Sequence, residues 1–566
     1  MQDRPGSSLA LPASRRTALK TGGAAAAALL TPQLARSQLV IAPGRVPSPV
    51  TREWAMPLEI PPVLQASPVD PSLTGNVAAG EARKVAHQAW ADAPPVALYE
   101  LTAGPVTHSF HPDLPDQEVW GFNGSTPGPT IHARYGEAVL VRYRNALPRG
   151  ARGPGSPEIS IHLHNFHSPS ESDGHPDDFY PSMHLPGTFR VCHYPMRYAG
   201  YRTNPGPDGI GDDREALGTM WYHDHRHHYT ASNVYKGLAG FFLAFDKYDS
   251  GDRRTEASLN LPSGPFDVPL MVQDKQFDSS GYVVFDAMDP DGFVGDKFMV
   301  NGKIQPYFHV QPRKYRFRIL DGSTARVYDL QIRHNNQAQK FWYIANDGNL
   351  LPSRLEMSSV LLAPAERADI VVDFSAYPPG TELFLTNRLQ MLDGRKPEKD
   401  FLRTPIQLLK FIVGAGPVAD DSQVPANLRA LPLSDAEIEQ ARRDAVRREA
   451  RLGRSNGGWT INDRIYTSKP RFSSKQGQWE VWSVRNDSGG WVHPVHIHLE
   501  EGRLLSRNGR PPPPHERGRK NVFYANPNER LEILIRFRDF TGHYVTHCHN
   551  TLHEDHGMME NFEVKP

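Results

Sequence analysis

His547-Cys548-His549-Asn550-Thr551-Leu552-His553-Glu554-Asp555-His556-Gly557-Met558-Met559 gathers a thiol, four imidazoles and two thioethers into thirteen residues. Sulfur with imidazole selects copper or zinc over magnesium or calcium. One Cys, two His and a weak Met form the ligand set of a blue copper electron-transfer site. Cys548, His553 and Met558 supply three such ligands. The segment from Gly542 to His549 reads as a strand, and alternate strand residues point to opposite faces. His547 and His549 therefore face away from the metal that Cys548 binds, towards a second metal site. One tripeptide thus joins two metal sites through bonds.

Three further motifs lie upstream: His162-Leu163-His164, His223-Asp224-His225 and His493-Pro494-Val495-His496-Ile497-His498. In an extended segment, H-x-H points both rings to one face. A single H-x-H fits a surface or zinc site equally well. Four motifs together offer eight imidazoles: His162, His164, His223, His225, His496, His498, His547 and His549. Eight nitrogens suit three coppers with positions open for oxygen, and His493 is left to complete the Cys548 site. His227, His228, His543 and His556 are surplus and read as supporting or surface groups.

The chain has 566 residues, 39% of them hydrophobic, with 51 prolines, 46 glycines and a formal net charge of zero. This excludes an electrostatic case for nucleic acid or an anionic membrane as partner. A strand, an Asn-Gly or Asn-Asp turn and an alternating strand recur three times, roughly 160–180 residues apart. The turns are Asn123-Gly124, Asn301-Gly302 and Asn462-Asp463. This predicts an all-β chain of three homologous sandwich domains at residues 53–246, 257–413 and 457–566. Residues 414–456 read as a linker with a helix capped by Ser434. Ser14-Arg15-Arg16-Thr17, followed by the apolar run to Leu30, reads as a twin-arginine export signal spanning residues 1–37. The expected location is periplasmic or extracellular, and no later stretch reads as a transmembrane helix. Cys192 has no partner once Cys548 is a thiolate. It reads as a buried free thiol, with intermolecular pairing or metal delivery as alternatives.

The four motifs resemble those of the multicopper oxidase family, and within it the bacterial spore-coat laccase and bilirubin oxidase branch. The resemblance also covers Ser172-Asp173-Gly174-His175-Pro176, Trp221-Tyr222-His223-Asp224-His225 and Gly490-Trp491-Val492-His493. It implies three cupredoxin-like Greek-key domains, four copper ions, and one-electron oxidation of a small organic reductant coupled to reduction of dioxygen to water. It assigns His493, Cys548, His553 and Met558 to type 1 copper and His162 and His496 to type 2. His164, His223 and His549 go to one type 3 copper, and His225, His498 and His547 to the other. Asp173 and Glu554 match positions proposed to carry protons.

Asn165-Phe166, an enlarged loop at 196–219 and a short segment after Leu499 depart from the family pattern, which leaves donor identity open. With 12 methionines and no Met-rich run, phenols, aromatic amines or bilirubin-like pigments are favoured over Cu(I), Mn(II) or Fe(II). A non-enzymatic structural protein on the same fold is the third reading.

Overall fold

The computed structural model describes residues 45–150, 153–177, 185–416, 418–455 and 457–566. The export signal read at residues 1–37 lies outside these. The described chain is built from six sheets in three packed pairs.

Each pair opens with the same three-strand pattern. In the first, Ala97–His108 pairs antiparallel with Gln117–Phe122 and parallel with Val139–Asn145. In the second, Asp267–Phe277 pairs antiparallel with Lys297–Val300 and parallel with Lys314–Asp321. In the third, Val446–Ser455 pairs antiparallel with Gly458–Ile461 and parallel with Trp479–Asn486. Each tight turn places two residues at positive φ: Asn123 and Gly124, Asn301 and Gly302, Asn462 and Asp463. Such a turn matches the right-handed twist of its strands.

The third copy begins earlier than the linker reading allows. Val446–Ser455 carries four arginines, and only Ala450 and Leu452 face the core. So polar a strand shows no apolar alternation in sequence, and its charge conceals it. The helix at Asp435–Asp444 does form, closed by a capping box in which Ser434 and Glu437 bond each other's backbone N–H.

Each sheet pair encloses its own core. Leu101, Tyr143, Leu163, Tyr222 and Phe242 fill the first. Val272, Phe317, Ile370 and Phe411 fill the second. Leu452, Trp482, Ile533, Tyr544 and Phe562 fill the third, where Cys548 and Met558 also lie. Cys192 is buried in the first core without a disulfide, and burial pushes its thiol up to about 11.

Between sandwiches, buried ion pairs stand beside apolar contacts such as those of Phe241, Leu320 and Val522. Buried Arg316 bonds Asp249, in the segment connecting the first two sandwiches, at 2.8 Å and Asp369 of its own sandwich at 2.6 Å. Between the first and third, His167 Nε2 meets Asp539 at 2.8 Å while its Nδ1 stands 3.5 Å from Glu500. Buried charges persist only when paired in this way. Burial alone would lower the His167 imidazole, but Glu500 and Asp539 outweigh it and raise it above its ordinary value. A group raised on folding stabilises below its unfolded pKa of about 6.5, and that contribution disappears as pH rises through the folded value. The Tm gap between wild type and His167→Gln is therefore expected to be widest near pH 5.5 and to narrow towards pH 9. Thermal unfolding across that range checks it; a gap that widens with pH contradicts the pairing.

Candidate metal centre

The histidine motifs lie on neighbouring strands. Ile161–His164 pairs antiparallel with Thr219–Asp224, which sets His162 opposite His223. His493–Ile497 pairs antiparallel with Gly542–Cys548, which sets His496 opposite His547 and Val495 opposite Cys548. Register alone thus joins two motifs in the first sandwich and two in the third.

The two halves meet. The Nε2 atoms of His225, His498 and His547 lie 3.2, 3.2 and 3.3 Å from one another. His162 and His496 bring their Nε2 atoms to 3.4 Å. His162, His164 and His223 form another group with converging nitrogens, as do His162, His496 and His498. The His549 ring lies 5.1 Å from His164 and 5.3 Å from His223 by ring centroids. Nitrogens bound to one metal at about 2.0–2.1 Å and tetrahedral angles stand about 3.3–3.4 Å apart, so the spacing fits a metal ion.

On the other side of the tripeptide, Cys548 Sγ lies 3.3 Å from His493 Nδ1 and 3.5 Å from His553 Nδ1. Those two nitrogens are 3.1 Å apart. Met558 is fully buried in the same core as Cys548, and its carbonyl accepts the Cys548 N–H at 3.1 Å. Met559 packs elsewhere, against Tyr466 and Val545.

The donor chemistry fits a cation. Burial drives the His162, His164, His223, His496, His498, His549 and His553 imidazoles well below their ordinary value. They are neutral, with lone pairs converging. Neither ring nitrogen of His164 or His549 has a hydrogen-bond partner. Burial also holds the Cys548 thiol far above its ordinary value, so only a bound metal makes it a thiolate.

A second layer fixes which nitrogen faces inward. His162 Nδ1 donates to the Asp173 carbonyl, His223 Nδ1 to the Asp224 carbonyl and His496 Nδ1 to the Asn521 carbonyl. His493 Nε2 meets Ser488 Oγ at 2.8 Å, and His553 Nε2 donates to the Asp291 carbonyl at 3.1 Å. Such partners set the tautomer and ring orientation of metal-binding histidines. Ser488, Asn521 and Asp291 escaped the sequence reading: Asn521 and Asp291 act through carbonyls, which leave no residue signature, and a lone serine hydroxyl leaves little more. Among the surplus histidines, His228 bonds the Asp555 carbonyl and His556 the Leu552 carbonyl, while His227 stacks on His228 at 3.7 Å.

Asp173 and Glu554 are both buried against the cluster. Asp173 Oδ2 accepts from His498 Nδ1 at 2.7 Å, and its Oδ1 stands 3.6 Å from His162 Nδ1. Its turn closes on Gly174 at φ +82°, where a Cβ would lie 2.1 Å from the Ile161 carbonyl oxygen. Only glycine allows that approach. Glu554 stands 3.1 Å from both His225 Nδ1 and His547 Nδ1 and accepts from Thr230 Oγ1 at 2.6 Å. Burial raises the Asp173 carboxyl well above its usual range. The same burial acts on Glu554, but His547 and His225 outweigh it and hold that carboxyl well below.

Comparison with known proteins agrees with this geometry. Multicopper oxidase family signatures match residues 106–184 and 440–566. The bilirubin oxidase of Albifimbria verrucaria is 33% identical over 531 residues, 91% of this chain and 82% of that one. The chain belongs to the multicopper oxidase family. The laccase of Bacillus subtilis is 31% identical, over 82% of this chain and 94% of that one. A solved McoA multicopper oxidase variant from Aquifex aeolicus superposes with a TM-score of 0.71 at 28% identity, covering 90% of this chain and all of that one. This chain is accordingly a copper oxidoreductase of laccase type.

The separation of the two methionines gives a direct test. A thioether donates weakly to Cu(II) and favours the oxidised state, and axial ligand identity tunes the potential. Met558→Leu is expected to raise the type 1 potential at a stability cost of about 1.5 kcal/mol or less. Met559→Leu should leave the potential unchanged. Redox titration of the blue band checks both; the reverse pattern moves the axial ligand to Met559.

Proposed function

We propose that this multicopper oxidase is exported, binds four coppers, and couples one-electron oxidation of small phenolic, aromatic-amine or bilirubin-like donors to four-electron reduction of dioxygen to water. One observation carries the reading. His547-Cys548-His549 turns a thiol towards His493 and His553 on one face and an imidazole towards His225 and His498 on the other. We assign His493, Cys548, His553 and Met558 to type 1 copper, and the eight remaining histidines to the three-copper cluster in the sets named above. When bound, copper supplies one-electron acceptance at Cys548 and dioxygen reduction at the cluster.

The protein's own groups do the rest. Cys548 conducts, through the backbone and side chains of His547 and His549, over a path on the order of 10 Å. Glu554 links two cluster histidines through their Nδ1 atoms and takes a hydroxyl proton donor, Thr230, on its Oε1. Asp173 holds His498 through Oδ2 and sets Oδ1 3.6 Å from His162 Nδ1, so one carboxyl both orients a ligand and carries a proton. Water formation needs such carriers.

The surroundings of His553 bear on the donor. Its Nε2 ends on the Asp291 carbonyl, and the Asp291 carboxylate is held by Arg395 and Arg454, each at 3.1 Å. Both guanidiniums stack near Trp491. Asp289 is likewise paired, with Arg45. These acids are neutralised, which favours planar organic donors over bare metal cations. The bilirubin oxidase and laccase relatives point the same way. The second reading, oxidation of Cu(I), Mn(II) or Fe(II), is separated by steady-state rates of the copper-loaded enzyme with a phenol, bilirubin, Cu(I) and Mn(II). A kcat/KM highest for a metal ion overturns the organic reading, and no turnover with any of them returns the chain to a structural role.

Copper analysis with EPR is expected to give four coppers per chain with a type 1 signal; a stoichiometry near one removes the cluster assignment. Glu554→Gln is expected to slow reoxidation by dioxygen about 100-fold, the low end for proton transfer, and to spare type 1 reduction. Anaerobic stopped-flow reduction followed by mixing with oxygen separates the steps. Unchanged reoxidation would reduce Glu554 to a ligand-orienting group.

A further inference from the structure

The middle sandwich supplies no candidate ligand, yet one of its turns reaches the histidine cluster. Asp347-Gly348 joins the strands Phe341–Asn346 and Asn349–Met357, with φ of +42° and +87°. Its groups meet three segments that lead to candidate ligands and a fourth that orients one. Asp347 Oδ2 accepts the backbone N–H of Asn521 at 3.2 Å and of Val522 at 3.1 Å, and the Asn521 carbonyl is the one that holds His496 Nδ1. The Asp347 carbonyl accepts from the side-chain amide of Asn165, the residue after His164. The Gly348 carbonyl accepts the Gly218 N–H at 2.7 Å, just before the strand that leads to His223 and His225. Asn349 donates its amide to Glu501, three residues beyond His498.

We propose that this turn is the brace that sets the spacing between the two histidine halves, with Asp347 as its positioning residue. The inference rests on reading the cluster as a copper centre. Two of the braced segments belong to the first sandwich and two to the third, and no ligand strand of one pairs with a ligand strand of the other. Hydrogen bonds from a common turn therefore fix a distance that strand register does not. The turn is tightly held: a Cβ on Gly348 would lie 2.6 Å from the Thr219 carbonyl oxygen. Lys520 neutralises Asp347 at 3.2 Å. Both carboxylate oxygens are committed, since Oδ1 also accepts the Arg367 N–H at 3.2 Å. An amide of the same shape turns an NH2 towards one of these backbone donors and breaks the clamp.

Asp347→Asn is compared with wild type and with Phe374→Leu, a change in the middle core that leaves the turn intact. The readouts are copper release to a chelator, the type 2 EPR signal and the blue band. Asp347→Asn is expected to lose cluster copper about tenfold faster than wild type and to keep its blue band; this is the low end for removing groups that orient metal-binding histidines. Phe374→Leu is expected to release copper as wild type does. Release from Asp347→Asn at the wild-type rate, or equal acceleration in Phe374→Leu at the same loss of Tm, overturns the brace. Hydrogen exchange in copper-free wild type decides independently, whether or not Asp347→Asn folds. Slow exchange at Asn521 and Val522 supports a brace formed before metal binds, and exchange as fast as in surface turns overturns it. A wild type that takes up only type 1 copper refutes the cluster reading instead, and the exchange result then stands alone as the test of the brace.

Discussion

The alternation of side chains along Gly542–Cys548 is the constraint on which everything else depends. Two adjacent residues on a strand cannot face the same way. Cys548 therefore points into the core of the third sandwich, and its neighbours point out of it towards the first. Metal sites on both faces follow without any loop to position them. The electron path between them is covalent and short because the sites share a tripeptide. The same geometry dictates that a second domain must be present. Two outward imidazoles do not complete a metal centre alone, and the remaining rings come from strands that end at the same cleft.

That arrangement is costly without metal. Burial pushes seven of the converging imidazoles towards the neutral form, and the thiol opposite is driven to keep its proton. A fold held only by hydrophobic cores has little reason to keep these nitrogens 3.2–3.4 Å apart. Ionic locks between sandwiches, such as Arg519 with Glu215 and His167 with Asp539, add to the apolar contacts there. They fix orientation as well as contact. Buried charges tolerate few alternative pairings, so the docking of the sandwiches is specific even where its net contribution to stability is modest.

The candidate ligands were legible because imidazole and thiolate are rare and their spacing of two is the period of a strand. The threefold repeat was legible because each copy turns on Asn-Gly or Asn-Asp. The strand Val446–Ser455 was not, since two small or apolar residues among four arginines give no amphipathic signal. Its pairings with Gly458–Ile461 and Trp479–Asn486 reveal it. The layer behind the ligands was the least legible. His162, His223, His496 and His553 are oriented by backbone carbonyls of Asp173, Asp224, Asn521 and Asp291, and any residue type supplies a carbonyl.

The two carboxylates show how position and not residue type assigns a role. Asp173 and Glu554 are equally buried beside the same cluster, and the sequence reading gave both the same task. Their surroundings separate them. Glu554 lies between two ring nitrogens and takes a hydroxyl donor, so its charge is stabilised. Asp173 bonds one ring through Oδ2 and meets a second only at 3.6 Å from Oδ1, so burial prevails and the neutral acid is favoured. Pairs of acids driven apart in this way divide the work of holding and delivering protons. In this protein the two carboxyls differ in which nitrogens they meet, and Gly174 lets the Asp173 turn press against the strand of His162.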